Sequence, residues 1–147
     1  MIDYLTTNDV VHLNERVIRA YGGSFTPPEN LREEETLNAL TETVQSGEYR
    51  KPADKAAVYF HAIISKEIFL DANERTALLA ARTFLVLNGG VFHKKLKAVA
   101  RNERQIPKNG KGNQEIWLNL IAETKAGRLE ADDLREWFGR NVNSAVR

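Results

Sequence analysis

Between two apolar, helix-patterned segments lies the turn Glu67-Ile68-Phe69-Leu70-Asp71-Ala72-Asn73-Glu74-Arg75-Thr76, in which carboxylates, an amide, a guanidinium and a hydroxyl are crowded together. Such a set can hold an anion. Backbone N–H groups around Ala72, Asn73 and Glu74, opening onto a helix that starts near Thr76, would point at a bound oxyanion, and the small Ala72 lets a phosphate approach. Arg75 would grip phosphate oxygens through its planar fork. Asp71 suits Mg²⁺, which prefers oxygen ligands and tolerates one carboxylate plus substrate oxygens. A purely local reading competes: Asp71 as an N-cap accepting from the Glu74 amide while Glu74 reaches back, a capping box. Ala77, Leu78, Ala80, Ala81, Phe84 and Leu85 then form the apolar face, and Gly89-Gly90 ends the helix. On local physics alone the capped helix is favoured, because capping boxes far outnumber active sites. A cap, however, needs neither Asn73 and Arg75 in the same turn nor Phe69 two residues before it.

The flanking elements must position this turn. Thr6 or Thr7 can cap a first helix whose Val10, Val11, Leu13, Val17 and Ile18 recur at helical spacing, ending at Tyr21-Gly22-Gly23; His12 falls on its polar side. Pro27-Pro28 keeps residues 24–30 a loop, and Leu31 to Val44 returns to helical spacing, with Glu33-Glu34-Glu35 suited to the positive end of the dipole. Residues 45–54 read as a loop. From Ala56 to about Lys66 runs a helix so broadly apolar, through Val58, Tyr59, Ala62 and Ile63, that it must be central. His61 lies roughly 240° around that helix from Glu67 and is expected to be packed elsewhere. Two closing helices carry Ile116, Trp117, Leu120 and Ile121, and Leu134, Trp137 and Phe138, with Lys125-Ala126-Gly127 ending one and Glu130 or Asp132 starting the other. Strand signals are weak, so the expected class is all-α.

The chain has 147 residues, 28% of them charged, a net charge of +1 and no cysteine. That length is most simply one domain, 1–147, needing no staples. Near-neutral charge demands neither nucleic acid nor an anionic membrane, and the lack of cysteine excludes thiolate metal sites and a cysteine nucleophile. No apolar run reaches the ~20 residues that cross a bilayer, and the N-terminus lacks a signal-like pattern, so a cytoplasmic location is expected. Residues 91–115 hold a basic segment, Lys94 to Lys111, read as a loop insertion; a phosphate- or partner-facing patch is the sharper alternative. Without aromatic interleaving beyond Phe92, it argues against a single-strand nucleic-acid platform.

Phe69-x-Asp71-Ala72-Asn73-x-Arg75-Thr76 resembles the signature loop of the Fic/Doc superfamily, specifically its death-on-curing branch, His-x-Phe-x-(Asp/Asn)-Ala-Asn-Lys-Arg-Thr. The likeness extends to Tyr21-Gly22-Gly23, to Tyr59 and Ala62, and to Asn88-Gly89, covering most of residues 4–90 and more loosely 116–142. Two positions depart: Glu67 stands where the family has its histidine, and Glu74 where this branch has lysine.

The resemblance implies a compact all-α bundle with a flap loop over the motif, placed at residues 45–54. It implies a toxin that transfers a phosphoryl or nucleotidyl group from ATP or a related nucleotide, with Mg²⁺ on Asp71, to a hydroxyl of a target in the translation machinery, restrained by a separate antitoxin. Ala72, Asn73, Glu74, Arg75 and Thr76 would form the nucleotide-binding part, and Glu67 would be the base at the histidine position. A carboxylate can serve as a base, yet it adds negative charge beside phosphates, as does Glu74 unless it turns to solvent or pairs with a lysine such as Lys66. The expectation is activity reduced or lost, with binding outlasting catalysis. The alternative is a catalytically degenerate nucleotide- or partner-binding helical module.

Overall fold

Residues 52–65 organise the chain, because eight apolar side chains between Ala56 and Ile64 are buried and leave the helix almost no solvent face. Such a helix needs neighbours on several sides. In the computed structural model, which describes residues 1–101, 104–106 and 112–144, the elements are α1 (Thr7–Tyr21), α2 (Glu34–Gln45), α3 (Pro52–Ser65), α4 (Asn73–Leu87), β1 (Gly90–Phe92), β2 (Val99–Arg101), β3 (Arg104–Ile106), α5 (Asn113–Lys125), α6 (Ala131–Asn141) and β4 (Val142–Ser144). α3 packs against α2, α4, α5 and α6, and α1 lies on α4. The expected all-α class holds, and among the described residues no helix is long and apolar enough to cross a membrane.

Local chemistry explains the ends. Thr6 caps α1 in a reciprocal box with Asp9, and Glu130 does the same for α6 with Asp133. α3 begins earlier than its apolar run, because Pro52 supplies a ready-made first helical position. α2 has no basic residue in its last turn. Its terminal region is served by the buried Lys55 of α3, whose ammonium donates to the carbonyls of Val44 and Ser46 and sits 5.1 Å from the centre of the Tyr4 ring. Phe60, Phe92, Trp117, Trp137 and Phe138 form one cluster of tilted and edge-on rings, 5.1 to 6.3 Å apart. Trp137 is fully buried, and its indole donates to the Lys97 carbonyl.

The expected flap requires correction. Residues 46–51 enter α3 at its N-terminal end, whereas the Glu67–Thr76 loop leaves at the other end, about 20 Å away for fourteen residues at ~1.5 Å each. There Tyr49 packs against α6, with the Arg135 guanidinium 4.9 Å from its ring centre. Residues 22–32 flank the motif instead.

The expected 91–115 loop is partly structured. β1 pairs with β4 antiparallel, Val91 opposite Asn143, and β2 pairs with β3, Ala100 opposite Gln105. Asn113 and Asn141 bond the backbone at Lys94, Leu96 and Lys97. Of the basic run, Lys108 and Lys111 lie outside the described residues.

Candidate functional site

Two chain segments far apart in sequence are zipped together at the C-terminal end of α3. The Arg32 amide donates to the Ile68 carbonyl and the Leu70 amide to the Asn30 carbonyl, both at 2.9 Å, with Leu31 bridged antiparallel to Phe69. The three described non-glycine residues with left-handed backbones are Asn30, Glu67 and Ala72 (φ 57°, 46° and 64°), all at this junction. Such conformations cost of order 1 kcal/mol or more each and persist where the surroundings enforce them.

The enforcing groups are amides. Asn73 closes the loop on itself, accepting from the Phe69 N–H and donating to the Phe69 carbonyl, both at 2.8 Å. Asn14 of α1, fully buried, donates at 3.0 Å to both the Asp71 carbonyl and the Thr76 hydroxyl, and its own oxygen accepts from buried Asn30. Thr76 in turn donates to the Ala72 carbonyl at 2.7 Å. Its hydroxyl is thus fully buried in this network and does not line the cavity described below.

Asp71 does not cap α4. One carboxylate oxygen accepts from the Ala72 amide and the other from Ser24, each at 2.8 Å, and the helix begins after Ala72 with no side-chain cap. The capping-box reading therefore fails: Asp71 is drawn away to the 22–24 turn, and Glu74 pairs elsewhere. A Cβ on Gly23 would lie 2.8 Å from Asp71 Oδ2, so the approach requires glycine there.

With no side-chain cap, the start of α4 opens on a cavity of about 520 Å³. Its walls are the 67–75 loop, Gly22, Ile64 and one face of α5, Leu118, Ile121 and Lys125. Uncapped amides and the positive end of the dipole suit an anion here. Arg75 is exposed at the rim, its guanidinium 4.6 Å from the centre of the Tyr21 ring, and borders a second cavity of about 450 Å³ between α1 and α4. The Asn73 side chain is spent on Phe69, which leaves its backbone N–H as the group available to a ligand.

The two acidic departures have separate partners. Glu67 Oε1 lies 3.7 Å from Arg32 Nη2, and its backbone carbonyl accepts from Arg32 Nε at 3.1 Å. Glu74 pairs with Lys125 at 2.9 Å rather than with Lys66, and this contact raises the Lys125 pKa through the hydrogen bond and the opposite charge. His61 is half-buried on α3 and outside the cavity wall, and burial lowers its pKa.

Among the described residues no group of three or more His, Cys, Asp or Glu could enclose a metal. The donor set does fit a Mg²⁺ that takes one protein carboxylate and fills the rest of its shell from phosphates and water. Each Asp71 oxygen accepts one amide and keeps a second lone pair.

Sequence reasoning missed Asn14, Asn30, Lys125 and the Ser24 amide as site groups, and had Gly23 only within the Tyr21-Gly22-Gly23 likeness. Only Asn14 left a signal, as a polar residue within the apolar stripe Val10, Leu13, Val17.

A family model described as Fic/DOC family matches residues 4–85, more than half of the chain and all of the Glu67–Thr76 loop. No curated protein gives a significant match.

Proposed function

Because the chain belongs to the Fic/DOC family, we propose that its 67–76 loop binds the phosphates of ATP or a related nucleotide with Mg²⁺. We further propose a transferase of phosphoryl or nucleotidyl groups to a protein hydroxyl, whose activity Glu67 reduces or abolishes. The observation that carries this reading is the uncapped start of α4, opening on a cavity flanked by Arg75 and Asp71.

In this reading the amides of Asn73 and Glu74 and the fork of Arg75 take phosphate oxygens. Asp71 holds Mg²⁺, which supplies neutralisation of phosphate charge. Asn73 and Asn14 keep the loop in the shape that presents these groups. Glu67 takes the proton of the attacking hydroxyl as the new oxygen–phosphorus bond forms and a phosphoanhydride bond of the nucleotide breaks. For that, its carboxylate must leave Arg32. A base that starts 62% exposed, beside a guanidinium, lacks the enclosed setting that makes carboxylates effective bases.

The same contact favours a second reading, a nucleotide- or partner-binding protein that transfers nothing. The wider role, a toxin acting on the translation machinery under an antitoxin, extends from the resemblance to the death-on-curing branch.

Radiolabelled nucleotides in a host lysate test the transfer. Little or no label with the native chain and clear label with Glu67→His are expected, with Mg²⁺-dependent nucleotide binding by calorimetry in both. An absence of binding at millimolar nucleotide in both proteins would overturn the reading.

A further inference from the structure

The cavity wall contains Glu67, Asp71 and Glu74 against Arg75 and Lys125. An anion entering it meets more negative than positive side chains, so each cation counts. Arg75 comes from α4 and rests on Tyr21 of α1; Lys125 comes from the last turn of α5 and is held by Glu74 at 2.9 Å. The Lys125 side chain is 63% exposed and that of Glu74 44%. Exposed pairs are weak and exchange readily. A polyphosphate brings more charge and more acceptors than one carboxylate, so it can displace Glu74 without a large cost.

Lys125 also shares a helix face with Leu118 and Ile121, at spacings of seven and four residues. Leu118 is 58% exposed, an apolar side chain left open beside a cation in the same cavity. The face therefore has an apolar stretch leading to a positive end, matching a ligand with a nucleoside at one end and phosphates at the other.

We propose that Lys125 is a phosphate-binding residue of the motif cavity, held in place by Glu74 until a polyphosphate takes its ammonium. This rests on the phosphate-binding reading of that cavity and adds a residue from α5, outside the motif. It gives Glu74 a defined part: a carboxylate that positions a lysine from another helix.

The test is calorimetry with ATP and with inorganic tripolyphosphate, each with Mg²⁺, on the native chain and on Lys125→Met, Lys125→Arg, Glu74→Gln and Arg128→Met. Arg128 pairs with Glu123 and does not line the cavity, so its variant controls for net charge. Expected are roughly tenfold weaker binding of both ligands in Lys125→Met, near-native binding in Lys125→Arg and Arg128→Met, and tighter binding in Glu74→Gln. Native affinity in Lys125→Met, or equal weakening in Arg128→Met, overturns the proposal. If tripolyphosphate binds as tightly as ATP and both depend on Lys125, the lysine assignment stands and the nucleotide reading falls. If no protein binds either ligand, both fall.

Discussion

Asn14 on the buried face of α1 donates from one nitrogen to both the Asp71 carbonyl and the Thr76 hydroxyl, each at 3.0 Å, and so ties the first helix to the start of the fourth. Replacing it with Ala removes three hydrogen bonds and leaves the buried Asn30 amide without the acceptor it donates to. A loss of about 2–4 kcal/mol is expected. It should appear as a lower urea midpoint with an unchanged slope. A shift equivalent to less than about 0.5 kcal/mol would show that the network contributes little.

Gly23→Ala should impair the site more than Gly22→Ala. Both glycines have positive φ, 98° and 131° for Gly22 and Gly23, so both variants carry backbone strain. Only at Gly23 does the new methyl meet Asp71 Oδ2 at 2.8 Å; at Gly22 it meets nothing within 4 Å. Mg²⁺-dependent nucleotide affinity, corrected for melting temperature, should therefore fall further in Gly23→Ala. Equal affinities would detach Asp71 from the ligand.

Much of the scaffold was legible before any coordinates, and the site less so, for physical reasons. A cap for α1 at Thr6 or Thr7, the apolar circumference of α3 and a start of α6 at Glu130 or Asp132 are local patterns within one or two turns. The start of α4 looked equally local and was misread. Asp71 has a partner 47 residues away, in the Ser24 amide, and no rule of spacing within a turn contains it. Lys125 was invisible for the same reason, and Lys66, near in sequence, drew attention instead. The flap's expected place just before α3 comes from the family resemblance, since the residues there read only as a loop. Only the direction of α3 shows that such a loop lies at the wrong end.

Tyr59 donates to the Leu5 carbonyl and accepts from the Leu5 amide, both at 3.3 Å, and burial pushes its pKa up to about 12. The unfolded chain loses this proton near pH 10 and the native chain later, so stability from this group is intact below pH 10 and lost as pH rises toward 12. Spectrophotometric titration of the native chain should show a late tyrosine ionisation, near pH 12, from Tyr59. Tyr59→Phe should remove that late step and cost about 1–2 kcal/mol.

His61 behaves in the opposite sense. Burial lowers its pKa, so below its ordinary value of about 6.5 the unfolded chain binds a proton that the native chain resists. Stability should fall as pH drops from about 6.5 toward the lower native value. The charges nearby act both ways: Glu130 and Asp133 favour the proton and moderate the slope, whereas Lys66 opposes it and adds to the effect of burial. Melting temperatures between pH 7.5 and 5.5 should decline more steeply in the native chain than in His61→Gln; parallel curves would remove His61 as the source.

The pairing of residues 30–32 with 68–70 has a kinetic consequence. α3 and α4 are neighbours in sequence and can associate early in folding, whereas the turn that anchors Asp71 must close a loop across a separation of 47 residues, with its entropic delay. The ligand cavity is then finished after its supporting helices. Amide exchange should be slower in the middle of α3 than at Ser24, Arg32 and Leu70, which would open first without global unfolding. A ligand held there would favour the closed form, coupling occupancy of the cavity to the last step of folding.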